Sequence, residues 1–312
     1  MVARISLAPG LADLAVAQAG VVTRQQLDAL GVSQKAIRAQ LAAERWTEWG
    51  THVLLLHNFV PSRRQLMWAA VLDAGPPAAL ASHTSLELAG FRAFAAEAEL
   101  IHLIVPRGAK VLPHPQIVVH ESRRVRPEWH VLDGGPPRTP TARSAIDAAA
   151  WQPWPRFACS LIAAADQQRL CTPDELDQAL RVVGRVRHKQ HLRDTVRELA
   201  GGSEAMSELD LVRACRRHGL VEPDRQVRRT DRDGRPRYLD AVWRLANGRT
   251  VVLEVDGRHH VEVEQWQDDV RRERSIVVDG AQVLRATSIE VRTEPERLIA
   301  DLRALGVPSC QK

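Results

Sequence analysis

The residues best suited to chemistry are three carboxylates within one short, otherwise apolar stretch. Asp240 interrupts the apolar run 237–245, and Glu254 and Asp256 follow in a second run that begins at residue 250. Both runs are rich in residues typical of strands, whose side chains alternate between faces, so Glu254 and Asp256 share one face. Carboxylates on one face repel each other, and a hard divalent cation such as Mg²⁺ offsets that repulsion. The pattern therefore predicts a metal site.

Whether Asp240 joins this face depends on the connection Ala246-Asn247-Gly248, which is a hairpin signal. A strict two-residue turn would pair Asp240 with Val255 and send its carboxylate to the opposite face. A three-residue loop would pair Asp240 with Glu254 and bring the acids together. The metal site therefore requires an odd number of residues in the connection, or a bulge.

The apolar residues beside the first carboxylate favour the three-residue loop. In that register Leu239 and Ala241 point to a core, and Leu253 and Val255 of the second strand point to the same core. The acids are then expected to face the cleft between this sheet and the first helix of the same domain.

The same pattern is also typical of an edge hairpin with a solvated face, because acids are mostly exposed in proteins. His259 and His260, just past Gly257, favour a site over that alternative. Arg258, Arg271 and Arg272 follow closely and are suited to holding phosphate groups.

The stretch resembles the PD-(D/E)xK nucleases, in the branch similar to the very-short-patch-repair endonuclease. That branch reads D…(E/x)-V-D-G followed closely by His, and the match is Asp240, then residues 254–257, then His259-His260. The resemblance implies a restriction-endonuclease-like α-β-β-β-α-β core over residues 203–312. It also implies Mg²⁺-dependent cleavage of phosphodiester bonds in DNA.

The resemblance further implies a role for each matching residue. Asp240, Glu254 and Asp256 would hold Mg²⁺, and His260 or His259 would activate water or protonate the leaving group. The first helix often supplies another acid in that family, for which Glu208 is the matching residue and Asp210 the second.

The match departs from the general family signature at its lysine. Asp256 occupies the lysine position, and the chain has no lysine between Lys189 and Lys312. The very-short-patch-repair branch also lacks this lysine and is thought to use a histidine, so the departure favours that branch.

Residues 1–60 show the pattern of a winged helix-turn-helix. Thr23 and Gln26 form a capping box at the start of one helix, and Ser33 is placed to cap a second helix, residues 34–43. A hairpin wing is expected over residues 46–56. If the second helix enters the major groove of DNA, the side chains that contact it are Gln34, Lys35 and Arg38. The alternative is a small helical module that binds protein.

This N-terminal segment also resembles AbiEi-type abortive-infection antitoxins. The residues that carry the likeness are 21–46, and it extends weakly to 82–91 and 138–150. In that family the domain represses its own promoter and the protein counteracts a nucleotidyltransferase toxin. The resemblance therefore implies DNA as one partner and a cognate toxin as another.

Residues 61–200 are predicted to form a middle α/β domain, and Gly201-Gly202 marks its boundary with the last domain. No group of residues in this middle part suggests catalysis. His83, at a helix start, is expected to cap or pack. Four further histidines have no metal-ligand spacing: His102, His114, His120 and His130.

Composition limits the remaining classes. The net charge of +5 permits nucleic-acid binding, and 39 of the 43 basic residues are arginine, which a GC-rich genome or phosphate recognition would explain. The four cysteines are scattered and no apolar run approaches ~20 residues, so a cytoplasmic protein without a membrane span is expected.

The sequence thus predicts an α+β multidomain DNA-binding protein with a metal-dependent endonuclease domain. The alternative is a non-catalytic, antitoxin-like autorepressor of a toxin-antitoxin system.

Overall fold

The fold is a mixed α+β architecture, with three small sheets among the residues that the structure describes, which confirms the predicted α+β class. The computed structural model describes residues 8–94, 99–111, 113–126, 128, 130–230, 236–256 and 281–310. By internal packing the chain divides into two compact units, residues 1–148 with 181–184 and residues 149–180 with 185–312.

The first unit opens with short helices that alternate with the strands of a three-stranded sheet. In chain order its elements are Leu11–Ala17 (α1), Val21–Thr23 (β1), Arg24–Ala29 (α2), Gln34–Ala42 (α3), Thr47–Trp49 (β2) and Val53–Leu55 (β3). The strand order is β1-β3-β2, and both pairs are antiparallel. The hairpin predicted over residues 46–56 is therefore present as β2 and β3.

Side-chain caps define where the two helices of this segment begin. The Thr23 hydroxyl accepts from the Gln26 amide and the Gln26 side chain accepts from the Thr23 amide, which confirms the predicted capping box. The Ser33 hydroxyl accepts from the amide of Ala36 at 3.2 Å and caps α3. Between the helices, Gly31 has a φ of 76°, a conformation that glycine adopts without strain.

The rest of the first unit is built on a second three-stranded sheet. Its elements are Arg63–Ala74 (α4), Ala79–Leu80 (β4), Ser82–Leu88 (α5), Ile101–Pro106 (β5) and Ile117–Ser122 (β6), with strand order β4-β5-β6. The sequence predicts a helix from residue 78, but Ala79 and Leu80 instead pair with β5. Both are completely buried, and burial against a sheet outweighs the helix preference of alanine and leucine.

Apolar residues of α4 pack against the first sheet. Trp68 and Ala69 share a core with Val21, Val53 and Leu55. The predicted boundary near residue 60 therefore lies between two elements that share a buried core.

The remaining elements lead to the sheet that carries the carboxylates. They are Thr141–Trp151 (α6), Pro155–Gln167 (α7), Pro173–Val183 (α8), Lys189–Arg197 (α9), Ser203–Arg217 (α10), Asp224–Thr230 (β7), Pro236–Arg244 (β8), Thr250–Asp256 (β9), Ala281–Thr287 (β10), Ser288–Thr293 (α11) and Pro295–Ala304 (α12). The described strands follow the order β10-β9-β8-β7. β7, β8 and β9 are antiparallel neighbours, and β10 runs parallel to β9.

One face of this sheet is covered by helices. Leu253 of β9 belongs to a core with Leu211 and Cys215 of α10 and with Leu298 and Leu302 of α12. Among the described helices of the chain, none combines the length and the apolar character needed to cross a membrane.

Candidate functional site

The hairpin between β8 and β9 has the predicted three-residue loop. Ala241 pairs with Leu253, and further along the ladder the Leu245 amide donates to the Arg249 carbonyl at 2.8 Å. The loop is Ala246–Gly248, closed by a bond from the Gly248 amide to the Leu245 carbonyl at 2.9 Å. This confirms the register on which the candidate site depends.

Asp240 lies where the paired part of the hairpin ends. It is the residue before Ala241 on β8, and Glu254 is the residue after Leu253 on β9, so the two acids occupy adjacent strand positions. Asp240 Oδ2 accepts a hydrogen bond of 2.8 Å from the Val255 amide. The carboxylate therefore binds a backbone N–H of β9 just past the last backbone pair.

A backbone irregularity lies across from Asp240 on the other neighbouring strand. In the β7–β8 ladder Arg225 pairs with Ala241 and Val227 pairs with Leu239, so Gln226 is the residue across from Asp240. Gln226 has a φ of 49°, a left-handed conformation that costs a non-glycine residue roughly 1–2 kcal/mol. Such local strain is more frequent at functional sites than elsewhere.

The packing of Leu239 differs from the predicted one. The sequence places Leu239 with Ala241 and Leu253, but Leu239 instead shares a core with Val242 and Val252. Strict alternation cannot bring Leu239 and Val242 to one face, since three positions separate them. Alternation along β8 is therefore interrupted between these two residues, and this part of the prediction is wrong.

The predicted cleft for the acids is also wrong. Leu253 packs against α10, and Glu254, the next residue of the strand, points to the opposite face by alternation. Glu254 is 7% exposed on that face. Glu254 therefore does not face the first helix of this domain. Glu208 belongs to that helix, and its side chain lies outside the described residues.

Asp210, the second acid considered on the first helix, belongs to a different cluster. Arg292 Nε lies 3.0 Å from Asp210 Oδ2, and another nitrogen of the same guanidinium lies 2.8 Å from Glu198 Oε2. The side chains of Arg292 and Glu198 are 5% and 3% exposed. This buried ion-pair network holds α10 and α11 together with the turn after α9, and it occupies Asp210.

We call the point where the pairing of β8 and β9 ends, at Asp240 and Glu254, the fork of β8 and β9. Its oxygen donors suit a hard cation. Asp240 and Glu254 contribute carboxylates, and a carboxylate that accepts one N–H bond retains further lone pairs for a metal. Arg285 of β10 is the cross-strand neighbour of Glu254 and brings positive charge to the same position. Among the side chains that the structure describes, no three His, Cys, Asp or Glu residues are grouped to hold a metal.

Several predicted site residues lie partly or wholly outside the described residues. The backbone of Asp256 ends β9, but its side chain is outside the description. Outside the described residues altogether lie His259, His260, Arg258, Arg271 and Arg272.

The predicted DNA-contacting residues lie together on the exposed side of α3. Gln34, Lys35 and Arg38 are exposed, whereas Ile37 is completely buried. Within the described part of the chain, neither Lys35 nor Arg38 forms an ion pair. Their charges are therefore available to an anionic partner.

The first unit contains a group of histidines that their sequence spacing did not reveal. The rings of His83 and His102 have centroids 5.6 Å apart, and those of His102 and His120 are 5.3 Å apart. His102 Nδ1 lies 3.1 Å from His120 Nε2. The histidine group (His83, His102 and His120) forms because α5, β5 and β6 are neighbours, a tertiary relation that no local spacing shows.

The two segments with the weaker antitoxin resemblance meet beside this group. The Ser85 hydroxyl donates to the Thr139 carbonyl at 2.8 Å, and the Ser144 hydroxyl donates to Ser85 Oγ at 2.8 Å. The Thr139 and Ser144 hydroxyls lie 2.7 Å apart. These buried contacts give both segments a structural role in one core.

Acid should destabilise the first unit through the histidine group. Burial, followed by repulsion from His102, lowers the pKa of His83 to about 4 and that of His120 to about 3. Because the folded state disfavours protonation, stability is full above the ordinary pKa of 6.5. It is lost as pH falls from 6.5 to about 4 for His83 and to about 3 for His120. We expect a loss on the order of 2 kcal/mol, measured by urea unfolding at each pH.

His83→Gln should flatten this acid dependence. The matched control is His114→Gln, because His114 lies outside the group and its ring contacts Trp49 instead. Equal slopes in the wild type and His83→Gln would contradict the assignment.

Comparison with known proteins adds no family. No family profile matches the chain, and a search of curated proteins finds no significant relative.

Proposed function

We propose that the protein binds DNA through α3 and hydrolyses phosphodiester bonds at the carboxylates of β8 and β9, with Mg²⁺ as cofactor. The observation that carries the hydrolytic part is the hairpin register, which brings Asp240 beside Glu254 although 13 residues separate them in the sequence. The described order of α10 and β7–β10, with β10 parallel to β9, supports a restriction-endonuclease-like core. The element order of the first six elements and the sheet order β1-β3-β2 support a winged helix-turn-helix.

Asp240, Glu254 and Asp256 would hold the cation in this proposal. A bound Mg²⁺ supplies Lewis-acid stabilisation of the charge that develops on a phosphate oxygen. The Val255 amide fixes the orientation of the Asp240 carboxylate through its hydrogen bond. His260 or His259 would take a proton from the attacking water or give one to the leaving oxygen.

A plasmid-nicking assay tests the hydrolytic part. The full-length protein should convert supercoiled plasmid to the open circle with Mg²⁺ and not with EDTA. Asp301→Ala is the control for loss of a carboxylate, since Asp301 is exposed on α12. Nicking that persists in EDTA would exclude the metal-dependent mechanism.

The DNA-binding part predicts a defined effect of two substitutions on α3. Lys35→Ala with Arg38→Ala should weaken binding to promoter DNA and lower the salt dependence of log K by roughly 0.9 for each phosphate that the variant no longer neutralises. Fluorescence anisotropy at several salt concentrations measures both quantities. An unchanged affinity and salt slope would indicate a protein-binding role for α3.

A second candidate is a non-catalytic, antitoxin-like autorepressor that acts with a cognate toxin. The observation that favours it is that protein groups lie next to both acids. The Val255 amide donates to Asp240, and Arg285 is the cross-strand neighbour of Glu254. This function predicts DNA binding through α3 and no metal-dependent nicking.

A further inference from the structure

The edge of the second unit's sheet carries an arginine surface next to an exposed aromatic ring. β7 is the last strand in the described order, and its seven residues, Asp224–Thr230, include three arginines. Arg225 and Arg228 are exposed, and the register places Arg228 directly opposite Tyr238 of β8. We call Arg225, Arg228 and Tyr238 the edge surface.

The charge of Arg228 is not neutralised by the acid on the same strand. Asp224 pairs with Arg244 at 2.5 Å. Glu222, just before the strand, pairs with Arg216 at 2.5 Å. Within the described residues Arg228 takes part in no ion pair, so its guanidinium is available to an anion.

Tyr238 adds an aromatic face to the arginines. It is the only tyrosine of the chain, and it is 53% exposed although it lies within a strand. An exposed ring beside a guanidinium is the combination that holds single-stranded nucleic acid, since the ring stacks on a base and the guanidinium binds the adjoining phosphate. A fully paired duplex keeps its bases stacked inside and offers no free base to such a ring.

We infer that the edge surface binds a single-stranded DNA segment. Tyr238 stacks on an unpaired base and Arg228 binds the phosphate beside it. Leu239 shares a face with Val252, and Glu254 lies on that same face, so Tyr238 lies on the other face of the sheet. The edge surface is therefore a binding site separate from the carboxylates. The inference does not depend on the proposed hydrolysis.

Exposed arginines on an edge strand also have a purely structural use. Charges there prevent the edge from pairing with another chain, which protects against aggregation. Charge reversal separates the two roles, because Arg228→Glu keeps a charge on the edge and removes the attraction for phosphate.

The test is binding of a labelled 20-nucleotide thymidine strand to the full-length protein, followed by fluorescence anisotropy. Arg228→Glu and Tyr238→Ala should each weaken binding on the order of tenfold. The matched control is Arg297→Glu, since Arg297 is exposed on α12 and the charge change is identical. Arg228→Lys should retain most of the affinity.

Three outcomes would overturn the inference. Unchanged affinity of Arg228→Glu for the thymidine strand excludes binding at the edge surface. An equal loss of affinity in Arg297→Glu shows only a general charge effect. An equal loss of affinity for a 20-base-pair duplex excludes single-strand recognition.

Failure of the proposed function has a different signature. If the protein does not cleave DNA, the strand still binds and the affinity still depends on Arg228 and Tyr238. If only α3 fails to bind DNA, Lys35→Ala leaves duplex affinity unchanged while Arg228→Glu still weakens single-strand binding.

Discussion

Replacing Arg292 with methionine should lower the free energy of unfolding of the second unit by about 3–5 kcal/mol. Arg292 is the only cation in contact with both Glu198 and Asp210 among the described residues, and its third contact is a bond of 3.0 Å to Thr195 Oγ1. Its removal leaves Glu198 buried beside an apolar side chain. Scanning calorimetry of the full-length protein measures the loss as a lower transition temperature.

Two further variants make the Arg292 prediction specific. Arg297→Met removes an exposed arginine from the neighbouring helix and should change stability by no more than about 0.5 kcal/mol. Adding Glu198→Gln to Arg292→Met should recover part of the loss, because a neutral amide costs less to bury than a carboxylate. A loss in Arg292→Met as small as that in Arg297→Met would show that the network contributes little.

The second large effect is expected at Asp240. Asp240→Asn keeps an oxygen that can accept the Val255 amide, so the fork of β8 and β9 should remain folded. The substitution removes the negative charge that would hold the cation. We therefore expect plasmid nicking to fall roughly a thousandfold, equivalent to about 4 kcal/mol of transition-state stabilisation.

Stability measurements decide how that result is interpreted. The transition temperature of Asp240→Asn should stay close to that of the wild type, whereas Asp240→Ala should lower it because the Val255 amide loses its acceptor. Asp301→Asn is the control for the charge change. A nicking rate in Asp240→Asn equal to the wild-type rate would remove Asp240 from the reaction.

The hairpin illustrates what the sequence can predict. Asn247 and Gly248 mark the bend, and the carboxylate pattern requires an odd loop, so the register of Asp240 and Glu254 follows from residues close together in the chain. The capping box at Thr23 and the cap at Ser33 are equally local, and both are present. Signals of this kind depend on backbone hydrogen bonds within a few residues.

Features set by distant residues were beyond prediction. In the Arg292 network, Asp210 lies 82 positions and Glu198 lies 94 positions before Arg292 in the chain. No pattern in the sequence relates them. The facing of Leu239 breaks the alternation that the pattern predicts, and no local signal in the sequence marks the break. The cleft assigned to the acids was wrong for a similar reason, because the face on which α10 packs is a tertiary property.

The most direct test of the central claim is the binding of Mn²⁺, a spectroscopic substitute for Mg²⁺ at oxygen ligands, followed by electron paramagnetic resonance. The wild type and Asp301→Asn should bind Mn²⁺ with equal affinity. Asp240→Asn and Glu254→Gln should each bind it at least about tenfold more weakly, because each removes a charged ligand. Equal Mn²⁺ affinity in all four proteins would contradict a cation site at Asp240 and Glu254.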